Sequence, residues 1–395
     1  MKILMIHPHD IFSSAEPWTV RMVYLAREFE KKGHSVTLVY FPLEWNNQRA
    51  SGLSASISLV PLSRKHGPGV LISNICSICA LAAKTDIIHF QKCFYNAAIP
   101  ALIAALVRNK HLHYDWDDWE VKIYEVSTRP GFLRNLIRDF LMILENNIPR
   151  LVDTVSVASS RLRSECQKLS KHRDTIFDAP VGADLDRFSP AVCGQQIRQK
   201  YGINKPLILY LGQLHGGQYV ELFIRTAAKL LKDYRENTAF MIVGDGYMAA
   251  ELKKFSSQLG LDNFLIFAGA VPHELVPQYI AAADVCVACF EENEVTLCKS
   301  PLKIVEYLAS GKAIVASNVG EVPNMLGNAG VLTPPGDINA LADGIIKILR
   351  DSDLKKSLER RSRARAEEEY SWKVTAENLL KAYEKSIHLE RRYTG

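Results

Sequence analysis

No apolar run in these 395 residues approaches the ~20 that a helix needs to cross a bilayer; the longest, such as IPALIAALV at 99–107, fall far short. The amino terminus, MKILMIHPHD, has only a short apolar run and no small-residue cleavage site, so it reads as a strand rather than a signal peptide. Charge of one sign is also scarce. The formal net charge is +5, with +4 in residues 1–190 and +1 in the remainder. That balance favours an anionic surface in the first half and excludes a nucleic-acid footprint. Low-complexity segments are missing, and 48% hydrophobic with 23% charged residues is an ordinary globular composition. The eight cysteines form no disulfide framework. Two CxxC spacings, Cys76/Cys79 and Cys286/Cys289, lie in apolar segments without basic or turn-forming neighbours, which suits core thiols better than zinc. The expectation is a cytoplasmic protein, with the inner membrane face as a peripheral location.

What the chain does have is alternation. Short apolar strands take turns with longer amphipathic helices, the pattern of parallel sheets joined by right-handed crossovers. Strands are expected at 2–7, 35–41, 53–61, 86–90, 111–116 and 151–159, with a helix over 17–34 after the first. The stretch 173–190 reads as a turn-rich exit, and about 185–205 as a linker. A second alternation opens at 206–214 and continues through 239–246, 264–271, 283–290 and 312–320. The length suits two domains. The expected fold class is α/β: two Rossmann-like domains with parallel sheets facing across a cleft, over 1–190 and 200–370. An amphipathic helix at 371–395 ends the chain.

One segment, SPLKIVEYLASGKAIVAS at 300–317, carries chemistry. Ser300 is a candidate N-cap, Pro301 a favoured first helical residue and Gly311 a stop. The helix start offers free amides and partial positive charge, to which Lys299 and Lys303 add full charges, and this combination suits phosphate. Leu302, Val305 and Ala309 form the expected buried stripe. Lys303 and Glu306, three apart, are expected as surface neighbours. Either they are a plain surface pair, or the Glu306 carboxylate accepts hydrogen bonds from ribose hydroxyls.

VEYLASGKAIVAS with the upstream ADVCVACFEENE resembles the carboxyl-terminal signature of glycosyltransferase family 4, which has the GT-B fold. HPHDIFSSAEPWTVRMVYLAREFEKKGHSVTLV, APVGADLDRFSP, LYLGQL, IVGDG, FAGAVPHELVPQYIAAADV, GVLTPPGDINALADGI and YSWKVTAENLLKAYEK resemble other parts of that family, in order and spacing, over nearly the whole chain. The resemblance implies that Glu306 binds the ribose of a nucleotide-sugar, that the base lies near Val271, and that amides around Lys299–Leu302 meet the diphosphate or donor sugar. It also implies that the last helix packs on the first domain. Gly212 and Gly244, in LYLGQL and IVGDG, fall on the donor side.

Several positions depart from the family pattern. Cys298 stands where the first of two glutamates eight apart is usual; Glu292 and Glu294 lie nearby, and Glu294 is the candidate to take over. Gln213 and Gln218 occupy the places of a usual arginine and lysine, leaving Lys299, Lys303 and the helix start to stabilise a leaving diphosphate. Ser13 and Ser14 replace two glycines of the first loop on the acceptor side, where Glu16 keeps its family position. The acidic run HYDWDDWE (113–120) offers Asp115, Asp117 and Asp118, with Asp117 favoured as catalytic. Close carboxylates raise one another's proton affinity. Asp115-x-Asp117 also fits the metal pattern of GT-A enzymes, and the run also reads as a solvated turn. Trp116 and Trp119 stack on sugars or fill the core. FLRNLIRDFLMIL (132–144) is either a membrane-surface helix with Arg134 and Arg138 on its polar side or a packing helix.

The activity these readings imply is a retaining, metal-independent hexosyl transfer from a nucleotide-diphosphate-sugar of UDP or GDP type to a saccharide or lipid-linked saccharide hydroxyl. No cofactor is expected. A membrane surface is a further partner, and nucleic acid is not. The alternatives are a GT-B sugar-nucleotide epimerase and a catalytically silent GT-B binding protein.

Overall fold

The computed structural model describes residues 1–13, 19–43, 53–128, 131–170, 172–216, 219–235 and 237–389. Ser14, Glu16 and Gln218 therefore lie outside the described residues. The chain divides into two compact units, Met1–Val181 with Trp372–Gly395, and Gly182–Ser371.

The first unit is built on seven strands: β1 (Lys2–Ile6), β2 (Ser35–Tyr40), β3 (Ser58–Pro61), β4 (Ile87–Gln91), β5 (His111–Trp116), β6 (Thr154–Val157) and β7 (Ile176–Asp178). Their order is 3-2-1-4-5-6-7, and every pairing is parallel. Helices cover both faces of such a sheet, so its strands become continuous apolar runs; Ile3 to Ile6 are fully buried. The second unit has six: β8 (Leu207–Leu211), β9 (Ala239–Val243), β10 (Leu265–Gly269), β11 (Val285–Ala288), β12 (Ile314–Ser317) and β13 (Gly330–Thr333). They run in the order 10-9-8-11-12-13, again all parallel. In each sheet the order reverses once, at β1/β4 and at β8/β11. In open parallel sheets such a reversal opens a crevice at the carboxyl ends of the strands, where ligands bind.

Three expectations are corrected. β7 lies inside the stretch read as a turn-rich exit, and β13 was not anticipated as a strand. The expected linker is packed structure of the second unit: its helix Gln195–Lys200 holds Arg198, which donates to the Ala282 carbonyl at 2.9 Å and to Asp284 at 2.5 Å. In the first unit the last helix, Trp372–His388, stacks Trp372 on Tyr24 at 5.6 Å and joins Tyr383 to His89 Nδ1 at 2.6 Å.

The helix Phe132–Leu151 does not bury its apolar stripe, as the packing-helix reading required. Arg134 faces inward, donating to the Glu125 carbonyl at 2.5 Å, on the side that buries Leu141, Glu145 and Ile148 further along. The apolar stripe faces solvent instead, with Phe132 81% and Leu133 69% exposed and Leu136, Ile137, Phe140 and Ile143 exposed behind them. No helix among the described residues is long and apolar enough to cross a membrane.

Candidate functional site

In the second unit the β8/β11 reversal is filled by the helix Leu302–Ala309. Pro301 is its N-cap residue, so the helix starts later than the expected Ser300 cap; Ser300 instead turns its hydroxyl toward the Met325 sulfur at 3.8 Å. Every residue from Lys303 to Ala309 is buried. A helix apolar nearly all round packs on all sides, and this overturns the reading of Lys303 and Glu306 as surface neighbours.

The Lys303 ammonium lies 4.1 Å from the centre of the Tyr210 ring of β8 and 5.7 Å from that of Phe290 after β11. It has no hydrogen-bond partner among the described residues. Burial, with repulsion from Lys299 and against the pull of Glu306, brings its pKa down to about 7. Gly212, at the end of β8, makes room for it. A Cβ at that glycine would stand 2.7 Å from Lys303 Nζ, and φ is +153°. Gly244, after β9, is as constrained: a Cβ there would lie 1.8 Å from the Gly212 carbonyl oxygen. Glycine at both positions lets two loops meet at the crevice.

Glu306, one turn along, is 4% exposed. Its Oε1 lies 3.0 Å from His273 Nε2, and His273 Nδ1 lies 3.2 Å from Arg187 Nη1. Gln213 Oε1 meets His215 Nε2 at 3.0 Å. Burial lowers the His215 pKa, and the charges of Lys299 and Lys303 lower it further. These three groups therefore share one electropositive region. Val271 is half-buried in the loop after β10. Glu294 is exposed at the start of the short helix Glu294–Cys298, capped by Asn293, and Cys298 is buried. His215, His273 and Arg187 escaped the reading of the sequence; His273 and Arg187 meet their partners only through the fold, while His215 lies two residues from Gln213.

In the first unit the acidic run ends β5. Asp115 is fully buried and gripped by Arg21, whose Nε and Nη2 donate at 2.7 and 2.9 Å; Ser156 donates at 2.5 Å. Although burial opposes it, Arg21 holds Asp115 well below the usual carboxylate range. This pairing occupies the carboxylate, so Asp115-x-Asp117 is not arranged as a metal clamp, and neither is the run a solvated turn. Lys92, buried at the end of β4, pairs with Glu120 and lies 3.5 Å from both Asp117 and Asp118. Despite burial, these three acids hold Lys92 well above its ordinary pKa. Burial pushes Asp117 up to about 6 and Glu120 to about 7. Gln91 donates to Asp117 Oδ2 at 2.5 Å, while Oδ1 has no hydrogen bond among the described residues. Trp116 is core: it is buried and donates to Glu145 at 2.9 Å. Glu145 also accepts from the Glu120 and Val121 amides, yet burial pushes it up to about 8. Ser13 is half-buried after a turn organised by Asp10, which accepts from the Phe12 amide at 3.0 Å. Among the described residues no group of three His, Cys, Asp or Glu side chains is placed to hold a metal ion.

Residues 205–351 match the sequence model of the family described as glycosyl transferases group 1. Among curated proteins, the chain is 25% identical over 248 residues to an alpha-D-kanosaminyltransferase of Streptomyces kanamyceticus, covering 60% of this chain and 62% of that one. It is 27% identical over 205 residues to a GDP-mannose-dependent alpha-(1-6)-phosphatidylinositol monomannoside mannosyltransferase of Mycolicibacterium smegmatis, covering 50% and 53%. The chain thus spans somewhat over half the length of these relatives. Among solved structures, sucrose-phosphate synthase from Thermosynechococcus elongatus superimposes with a TM-score of 0.78 at 19% identity, over 98% of this chain and 99% of that one. The two parallel-sheet units are those of the GT-B fold.

Proposed function

We propose that the chain is a retaining glycosyltransferase that moves a sugar from a nucleoside diphosphate sugar to a hydroxyl of a saccharide or lipid-linked saccharide, with no metal ion or other cofactor. The observation that carries this reading is the Lys303 ammonium, buried without a hydrogen-bond partner among the described residues where the strand order reverses. Burying an unpaired cation costs several kcal/mol, on the order of what an arriving anion returns. A diphosphate is the anion that also accounts for the neighbours. Lys299 and Lys303 take its charge with the Ser300 and Leu302 amides, Pro301 shaping the turn between them. Gln213 and Gln218 add neutral hydrogen bonds, and Gly212 and Gly244 allow close approach. Glu306 accepts from the ribose, Val271 lies against the base, and Glu294 contacts the donor sugar.

In the reaction the bond from the sugar's C1 to the diphosphate oxygen breaks, and the acceptor oxygen bonds to C1 on the same face. The acceptor's proton passes to the departing diphosphate oxygen. Lys299 and Lys303 stabilise the charge that develops on the diphosphate, the main electrostatic task of such a transfer. Asp117 orients the acceptor hydroxyl, with Asp118, Ser13 and Ser14 on the acceptor side. Asp115 holds β5 through Arg21 and takes no acceptor role. A panel of UDP- and GDP-sugars, with and without chelator, tests this by release of free nucleoside diphosphate. Turnover that needs an acceptor and survives chelation is expected; binding without turnover would leave a silent binding protein, and loss on chelation would reject the metal-free route.

The name of the mannosyltransferase relative, which contains phosphatidylinositol monomannoside, and the outward apolar stripe of Phe132–Leu151 both support a lipid-linked acceptor and work at the inner face of a membrane. Sedimentation with anionic and with neutral vesicles checks that location. No binding to either would remove the membrane from this reading.

A further inference from the structure

Arg187 and His273 are remote in sequence and meet beside Glu306. Arg187 lies in the first stretch of the second unit, where its amide donates to Asp184 Oδ1 at 3.1 Å. The next residue, Phe188, is 1% exposed, and its ring centre lies 5.7 Å from that of His273. An arginine can only donate, so the 3.2 Å contact from Arg187 Nη1 makes His273 Nδ1 an acceptor. The proton of the neutral ring then sits on Nε2, which donates to Glu306 Oε1 at 3.0 Å. One neighbour thus sets the tautomer that the next contact needs.

This contact decides how the carboxylate is aimed. The terminal torsion of a glutamate is broad and prefers no single orientation. Fixing Oε1 fixes the plane of the group and with it the direction of Oε2, for which no hydrogen bond is recorded among the described residues. We infer that His273, held by Arg187, is a positioning residue that orients the Glu306 carboxylate toward the two ribose hydroxyls of the nucleotide. This rests on the reading of Glu306 as the ribose acceptor. His273 is more open than the acid it holds, with its side chain 32% exposed against 5% for Glu306.

The test is calorimetry with UDP or GDP, whichever binds more tightly, and with its 2′,3′-dideoxy counterpart. His273→Ala is expected to weaken the ribonucleotide about tenfold, the scale of one hydrogen bond to a charged group, and to leave the dideoxy nucleotide within about twofold. His273→Gln, which keeps an N–H donor, is expected to recover part of the loss. In a Glu306→Gln background, His273→Ala is expected to cost little more. Equal losses for both nucleotides, or an undiminished loss in the Glu306→Gln background, would overturn the inference and make His273 a direct contact or a fold residue. Thermal unfolding of each variant separates the fold from the site. If Glu306→Gln itself binds the ribonucleotide as the wild type does, the ribose reading fails instead, whatever His273 does.

Discussion

Each unit buries a lysine beside the reversal of its strand order, and the two are in opposite states. Lys92 is surrounded by Asp117, Asp118 and Glu120, which hold it charged. Lys303 has aromatic rings and a glycine for neighbours, and its charge is disfavoured. The first cluster completes itself with protein groups, and burial, with the neighbouring acids adding to it, pushes Asp117 and Glu120 up. The second has a cation with no hydrogen bond among the described residues, Glu306 acting on it only at a distance. A lysine beside the strand-order reversal thus serves in one unit as internal structure with a perturbed acid at its edge, and in the other, on the proposed reading, as the binding group for an anion.

Removing each lysine should therefore have opposite effects on stability. Lys92→Met leaves three clustered carboxylates without their cation, and breaking a buried pair in this way costs about 3–5 kcal/mol. Denaturant unfolding should show that loss in the first unit. A loss below about 1 kcal/mol would mean that the cluster is solvated and the contrast false. Lys303→Met removes a charge that has no partner, so the unliganded protein should be as stable as the wild type or more so. Its cost should appear in binding: affinity for a nucleoside diphosphate sugar should fall about a hundredfold, the range for a lost charged contact to a buried group. If Lys303→Met unfolds the protein and leaves affinity unchanged, Lys303 is a structural residue.

These two lysines also show what a sequence discloses. Strand β5 could be read residue for residue, because HLHYDW stands between clear breaks, and the alternation gave both sheets. β7, of three residues, is too short to carry a period, and β13 is an edge strand whose first three residues are only half-buried, so its apolar signal is weak. In the site, Lys303 and Glu306 were visible as a pair beside a helix start. Their burial was not, because spacing along one helix says nothing of what packs over it. The signal was present all the same: IVEYLA around Glu306 is apolar on every side. Arg21, Lys92 and Glu145 gave no local sign, since their partners lie 94, 28 and 24–29 residues away. For the helix at 132–144 the amphipathic pattern was legible and its direction stayed open between a membrane-surface and a packing reading, because amphipathicity does not say which face meets the protein.

The smallest expected effect separates the two clusters by proton linkage. In the free protein Lys303 has a pKa of about 7, and a bound diphosphate beside it raises that value. Affinity for a nucleoside diphosphate sugar, whose own phosphates do not titrate in this range, should be level just below pH 7. Above it, affinity should weaken by up to about tenfold per pH unit. The groups facing the ammonium are Lys299, Glu306, Cys289, Tyr210 and His215; burial lifts Cys289 to about 12 and Tyr210 well above its usual value, and burial with the two lysine charges holds His215 below its own. Fold stability has the opposite sign. The unfolded chain binds the Lys303 proton up to about pH 10.5 and the folded one only to about 7, so between those values the unfolded state holds more protons. Unliganded stability should then rise with pH relative to Lys303→Met, by at most about 1.4 kcal/mol per unit. Parallel pH profiles for wild type and Lys303→Met, in both binding and unfolding, would show that Lys303 stays charged in the free protein. It would then have a counter-ion as Lys92 does, and the contrast between the two units would disappear.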